Sequence, residues 1–123
     1  MFQNYEYCGG DIIAFASNQH NVSPSHGGIL MLEPSTTGLA ITGIVPPFAD
    51  AQMNETIKFC IVNRTGNAVT LKHNNANSAV GNRIFVNNNS DYTLGAYIAV
   101  QCIYMNVSGR VGWWIVADNT GIL

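Results

Sequence analysis

From Ile57 to His73 the chain reads IKFCIVNRTGNAVTLKH, and its side chains alternate in character along two arms. In the first arm Ile57, Phe59 and Ile61 fall on one face and Lys58, Cys60 and Val62 on the other; in the second, Val69 and Leu71 oppose Thr70 and Lys72. A period of two is the repeat of an extended chain whose side chains point in turn to the two faces of a sheet. Between the arms stands Asn63-Arg64-Thr65-Gly66-Asn67, and Asn and Gly tolerate the positive φ of tight connections. The stretch predicts a β-hairpin on which the other strands stack.

The same pattern recurs along the chain. Residues 11–16 (DIIAFA), 29–33 (ILMLE), 39–44 (LAITGI), 83–86 (RIFV), 91–94 (DYTL), 97–105 (YIAVQCIYM) and 112–117 (GWWIVA) read as strands. Most are bounded by Gly, Pro, Asn or Ser, and Asn106 to Arg110 is a turn. Val45-Pro46-Pro47 withholds ladder donors, so the segment after it belongs to an edge or a loop. No helical period appears. About eight short strands at regular spacing predict an all-β antiparallel sandwich or jelly-roll-like barrel. Residues 1–27 read as an N-terminal arm and loop, and 28–123 as a single β domain.

Composition sharpens this picture. Charged residues are 10% of the 123 and hydrophobic ones 47%, whereas a free-standing domain keeps about a quarter of its residues charged. Another subunit is therefore expected to cover some of the surface, although 15 Asn residues supply uncharged polarity. The net charge is −2 and the five basic residues are scattered, so nucleic acid is not an expected partner. No apolar run approaches the ~20 residues of a membrane span, and no signal sequence is visible at the start.

Candidate chemistry is sparse. Cys8, Cys60 and Cys102 lack metal or redox spacing, and the latter two sit inside strand patterns as small apolar residues. His20 and His26 share one loop at a spacing that neither helix nor strand converts into a chelate, so no metal or other cofactor is expected. The seven carboxylates form no evident acid/base pair, and no nucleophile elbow or phosphate loop is present. The chain is expected not to be an enzyme. Trp113 and Trp114 are consecutive in a strand and must face opposite ways, one into the core and one onto an interface or the outside. With Tyr97 they are the candidate interface or glycan-stacking aromatics.

ITGI at 41–44, IVNRTGNAVTLKHNNANSAVGNRIFV at 61–86, DYTL at 91–94 and the closing strand to Tyr104 before Trp113 and Trp114 occur in an order that resembles a β module of bacteriophage virion proteins. That module is found in trimeric tail-fibre, head-fibre and capsid-decoration components. The resemblance covers about 41–116 and implies a homotrimer in the virion, assembled in the host cytoplasm, with the major capsid protein or another virion protein as partner. A short stand-alone β domain fits a decoration, or cement, protein that stabilises the head. On that reading Phe2, Tyr5, Tyr7, Ile12, Ile13, His20 and His26 are candidate capsid or subunit contacts. The alternative it implies is a fibre tip or receptor-binding, lectin-like module that holds a host surface glycan on loops 74–82 and 87–90.

Overall fold

The alternating stretches become strands in the structure, a computed structural model that describes residues 10–25, 28–46 and 57–119. In chain order they are β1 (Gly10–Phe15), β2 (Ile29–Pro34), β3 (Leu39–Ile41), β4 (Ile57–Asn63), β5 (Val69–Leu71), β6 (Ile84–Phe85), β7 (Tyr92–Leu94), β8 (Ala99–Val107) and β9 (Arg110–Asp118). No helix occurs among the described residues. The larger sheet has the order β1-β2-β4-β8-β9-β6 and the smaller β3-β5-β7.

The expected central hairpin does not form. β4 pairs with β2 and β8, whereas β5 pairs with β3 and β7 in the other sheet. Residues 64–68 therefore make an arch between sheets. The reason is burial: Phe59 and Ile61 of β4 and Val69 and Leu71 of β5 all lie in one core, and an arch turns the two strands' apolar faces toward each other across it. A hairpin would have set them side by side. Asn63, buried at the end of β4, holds the arch. Its amide donates to the carbonyls of Asn67, Leu94 and Gly95, and its Oδ1 accepts from the backbone N–H and the hydroxyl of Thr65.

This arch is the third of a stack. β2 runs through residues 35–38 into β3, and β2 lies parallel to β4 while β3 lies parallel to β5. β1 lies parallel to β2 in turn, and the chain after it bridges to the β3 side at Gln19↔Ile41 and Val22↔Ile44. Three rungs result, each giving one strand or strand-like segment to each sheet. The arches are tied together as well. Ser35 N–H donates to Phe15 O, Arg64 N–H to Leu32 O and Gly38 N–H to Ala68 O, while Asn67 Nδ2 reaches Pro34 O. Residues 10–25 thus pair with the strands from β2 onward and share their core through Phe15 and Val22.

The sheets are mixed, with four parallel pairings out of seven among the described strands, so the all-antiparallel expectation gives way. Antiparallel strands close the stack: β8 against β4, β7 against β5, and β9 against β8. The β8–β9 connection is the expected turn. Ser108 and Gly109 have φ of 53° and 88°, the double positive φ of a tight hairpin loop. Gly109 N–H also donates to Asn106 Oδ1 at 2.8 Å.

One core lies beneath both sheets. Leu30, Leu32, Phe59, Ile61, Val100, Cys102 and Trp113 enter it from the larger sheet and Ile41, Val69, Leu71 and Leu94 from the smaller. Each fully buried large aliphatic side chain contributes about 1.5–3 kcal/mol. Trp113 has no exposure; its Nε1 donates to Ile44 O at 2.8 Å, and Phe59 and Tyr104 pack against its ring at 5.1 and 4.9 Å between centroids. Beside it Gly112 lets β6 approach, since a Cβ there would stand 2.4 Å from Arg83 O.

Candidate functional site

Alternation along the larger sheet leaves one face outside the core. Strand register arranges that face in rows. Ile12, Met31, Val62 and Ala99 form one row across β1, β2, β4 and β8. Gly10, Ile29, Cys60, Gln101 and Ala117 form the next, continuing onto β9. Neither row carries a charge. Ile12 is 54% exposed and Ile29 38%. On one border Glu33 pairs with Arg64 at 3.4 Å; on the other stands Lys58, opposite Ile103, with Trp114 beyond it. An uncharged centre bounded by charged residues is the layout of a protein–protein contact.

The sequence candidates fall in different places. Phe2, Tyr5, Tyr7 and His26 lie outside the described residues. Ile12 is on the outer face, whereas its neighbour Ile13 packs against the core, as alternation along β1 requires. His20 is exposed and bonded at Nδ1 to Thr42 Oγ1 at 2.7 Å. Thr42, itself buried, bonds at 2.7 Å to Ser78 Oγ, which accepts from Asn21 N–H. This chain of polar groups fastens loop 74–82 to the first rung. Asn21, with φ of 48°, adds bonds from Ala79 N–H and Asn82 Nδ2 to its Oδ1.

The aromatic candidates divide three ways. Trp113 is wholly in the core and has no surface to offer a glycan or a subunit. Trp114 is on the outer side, half-buried, stacked on Phe85 at 4.8 Å, with Nε1 donating to Arg110 O. Tyr97 is 68% exposed and has φ of 59°, a left-handed conformation unusual for a bulky residue.

His73 bridges the two halves of the chain. Its Nδ1 accepts from Val86 N–H at 2.9 Å, its backbone N–H donates to Asp91, and its ring stands edge-on to Phe85. Burial, followed by the charge of Arg110, holds its pKa below the ordinary value. Asp91 is held low, first by the bond from His73 N–H. Cys60 is on the outer face and Cys102 in the core, so the two do not bridge although their strands adjoin. Burial pushes the Cys102 thiol up to about 12. Among the described residues no three His, Cys, Asp or Glu side chains gather where a metal ion could be held.

Of the residues expected from the sequence as capsid or subunit contacts, Phe2, Tyr5, Tyr7, Ile12, Ile13, His20 and His26, only Ile12 lies on this face among the described ones, and sequence reasoning did not single out the rest of the face. Its signal was present in four of the six outward positions of β2 and β4, Ile29, Met31, Cys60 and Val62, which are apolar, while Glu33 and Lys58 are not. Strands buried on both faces read as near-continuous apolar runs. Comparison of the chain with protein-family models, with curated proteins and with solved structures finds no match.

Proposed function

We propose that this sandwich-like β protein is a non-enzymatic structural component of a bacteriophage virion, a homotrimer that decorates and stabilises the capsid. The observation that carries the proposal is the outer face of the larger sheet. Its two charge-free rows, which include Ile12, Ile29, Met31 and Val62, match the low charge of the whole chain. Burying such a face between copies removes apolar area from water at about 25 cal/mol per Å² and explains why the chain carries so few charges. Three copies then present three capsid-facing surfaces at once, and weak single contacts multiply. The sequence resemblance to virion β modules supports the same role.

Light scattering on the purified protein tests the assembly, and the expected mass is three chains. Val62→Glu sets a charge in the middle of the face and should yield monomers that keep their β circular-dichroism spectrum. Wild-type protein added to expanded phage heads should raise their melting temperature, and the Val62→Glu protein should not. A wild-type protein that stays monomeric, or heads that melt unchanged in its presence, would sink the proposal.

A further inference from the structure

The connection that leaves β6 hangs on a side chain rather than on a strand. Up to Phe85 the backbone is held by its pairing with β9, and His73 bridges to Ile84, with Asn74 N–H donating to Ile84 O at 2.8 Å. The N–H of Val86 goes instead to the imidazole of His73, 2.9 Å from Nδ1. Val86 is buried, so this donor depends on that one acceptor. Beyond it, residues 86–90 bond largely among themselves: Asn89 N–H donates to Val86 O at 2.9 Å and Ser90 N–H to Asn88 Oδ1 at 3.1 Å. Among the described residues the segment's other ties run from Asn89, whose side chain reaches the His73 ring and accepts from Arg110 Nη1 at 3.2 Å.

A carbonyl in that place would accept at any pH, whereas Nδ1 accepts only while it carries no proton. Once protonated, it turns a donor toward a donor. The charged groups around the ring oppose one another. Burial, then the Arg110 guanidinium of β9, disfavours a positive ring, while Asp91, just before β7, and the Asn89 side chain favour one; the balance holds the pKa below 6.5. Lys72, just after β5, pairs with Asp91 at 3.2 Å, and Arg83, just before β6, is tied to Ser78 O and Asn74 Oδ1. The ring is therefore neutral at pH 7 and takes its proton in mild acid. Asp91 is held low, first by the bond from His73 N–H, so it is still ionised there and stands ready to receive an imidazolium.

We propose that His73 is a pH-operated latch on residues 86–90: at neutral pH its imidazole holds Val86 N–H, and in mild acid the protonated ring turns to Asp91 and releases the segment. Protonation also sets two positive groups, His73 and Arg110, against each other, and Arg110 is the tie from β9 to Asn89. Phe85 is 4% exposed in the latched form, with the His73 ring edge-on at 5.8 Å and Arg110 at 5.9 Å from its centroid, and it stacks on Trp114 at 4.8 Å. When the ring turns away, this aromatic pair is uncovered. The latch does not rest on the proposed assembly, since one chain holds every group in it.

The test is a pH titration of the isotope-labelled full chain by NMR, from about pH 8 to about pH 4.5, the range in which a histidine changes charge. The expected result is one midpoint, below 6.5, shared by the His73 ring carbons, the Val86 to Asn89 amides and the Trp114 indole N–H, with the amides of Leu32 and Ile61 not following it. Exchange of the Val86 amide, scaled to its intrinsic rate, should speed up about tenfold across that midpoint, as the loss of one hydrogen bond requires. His73→Gln should abolish the transition. Asp91→Asn keeps an acceptor for His73 N–H but removes the charge and should lower the midpoint, whereas Arg110→Gln should raise it. The proposal is overturned if residues 86–89 do not titrate with His73, if His73→Gln leaves their transition in place, or if Asp91→Asn fails to lower the midpoint. It is overturned equally if Leu32 and Ile61 move with the same midpoint, because the whole chain would then be unfolding.

Discussion

Replacing Asn63 by alanine tests the arch stack at the point where it holds together. The wild-type amide group serves three carbonyls, Asn67 O at 2.8 Å, Leu94 O at 3.1 Å and Gly95 O at 3.0 Å. Its Oδ1 accepts from Thr65 N and Oγ1, both at 3.0 Å. Two hydrogens shared among three acceptors, with two accepted bonds, amount to roughly four net hydrogen bonds at about 1 kcal/mol each. Water entering the vacated space restores some of them, so the expected loss is about 2–4 kcal/mol. For a domain of this size that is a fall in Tm of about 8–16 °C. Asn63→Asp is the sharper variant, for it keeps the shape and turns a second oxygen toward three carbonyl oxygens. It should cost at least as much as alanine at neutral pH and less in acid, where the protonated carboxyl donates again. Urea unfolding of both proteins measures the loss. Asn18→Ala, which removes a single bond to Ala40 N–H, serves as the reference at about 1 kcal/mol. If Asn63→Ala lies within about 1 kcal/mol of the wild type, or Asn63→Asp is as stable as it at neutral pH, Asn63 does not hold the arch and the reasoning fails.

Gly112→Ala drives a methyl group to 2.4 Å from Arg83 O, so β6 should separate from β9, with a loss of about 1–3 kcal/mol in urea and faster amide exchange at Trp113. His73 is held neutral by Val86 N–H, and a pKa depressed in the fold supports stability fully above its unfolded value of 6.5. That support is lost as the pH falls through the folded value, so urea midpoints should decline below about pH 6.5, and His73→Gln should flatten that stretch of the profile. A neutral-pH alkylation series read by mass spectrometry should leave Cys102 unmodified in the native protein and label it once urea unfolds the chain, because its thiol is buried and its pKa raised; rapid native labelling of Cys102 would contradict the core placement.

Strand positions were legible because each strand has one buried face. LAITGI, RIFV and DYTL each contain an observed strand and GWWIVA lies within one, and the turn at Ser108-Gly109 is where Asn-Val-Ser-Gly placed it. Partnership was not legible. A loop of Asn, Gly and Thr between two alternating runs serves a hairpin and an arch equally, since both need a tight reversal and both bury alternate residues. What separates them is whether the apolar faces meet across a core or lie in one sheet, and that depends on β2, β3, β7 and β8, which are remote in sequence. The inward Asn63 was the local clue. A buried amide at the end of a strand needs several backbone partners, and an arch supplies them. The Tyr92–Asp118 bond was hidden for a related reason, since the two residues belong to different sheets and meet only when both have formed.

The parallel rungs also set an order of local opening. Each rung bonds only to its neighbours, so protection against amide exchange depends on how many neighbours a strand has, as in proteins whose stability is a sum of nearest-neighbour terms. β4 lies between β2 and β8, while β1 has β2 alone among the described strands. Among the described strands the molecule therefore loosens from its first rung inward, and a partner that paired with the other edge of β1 would slow exchange progressively along the stack without touching β4.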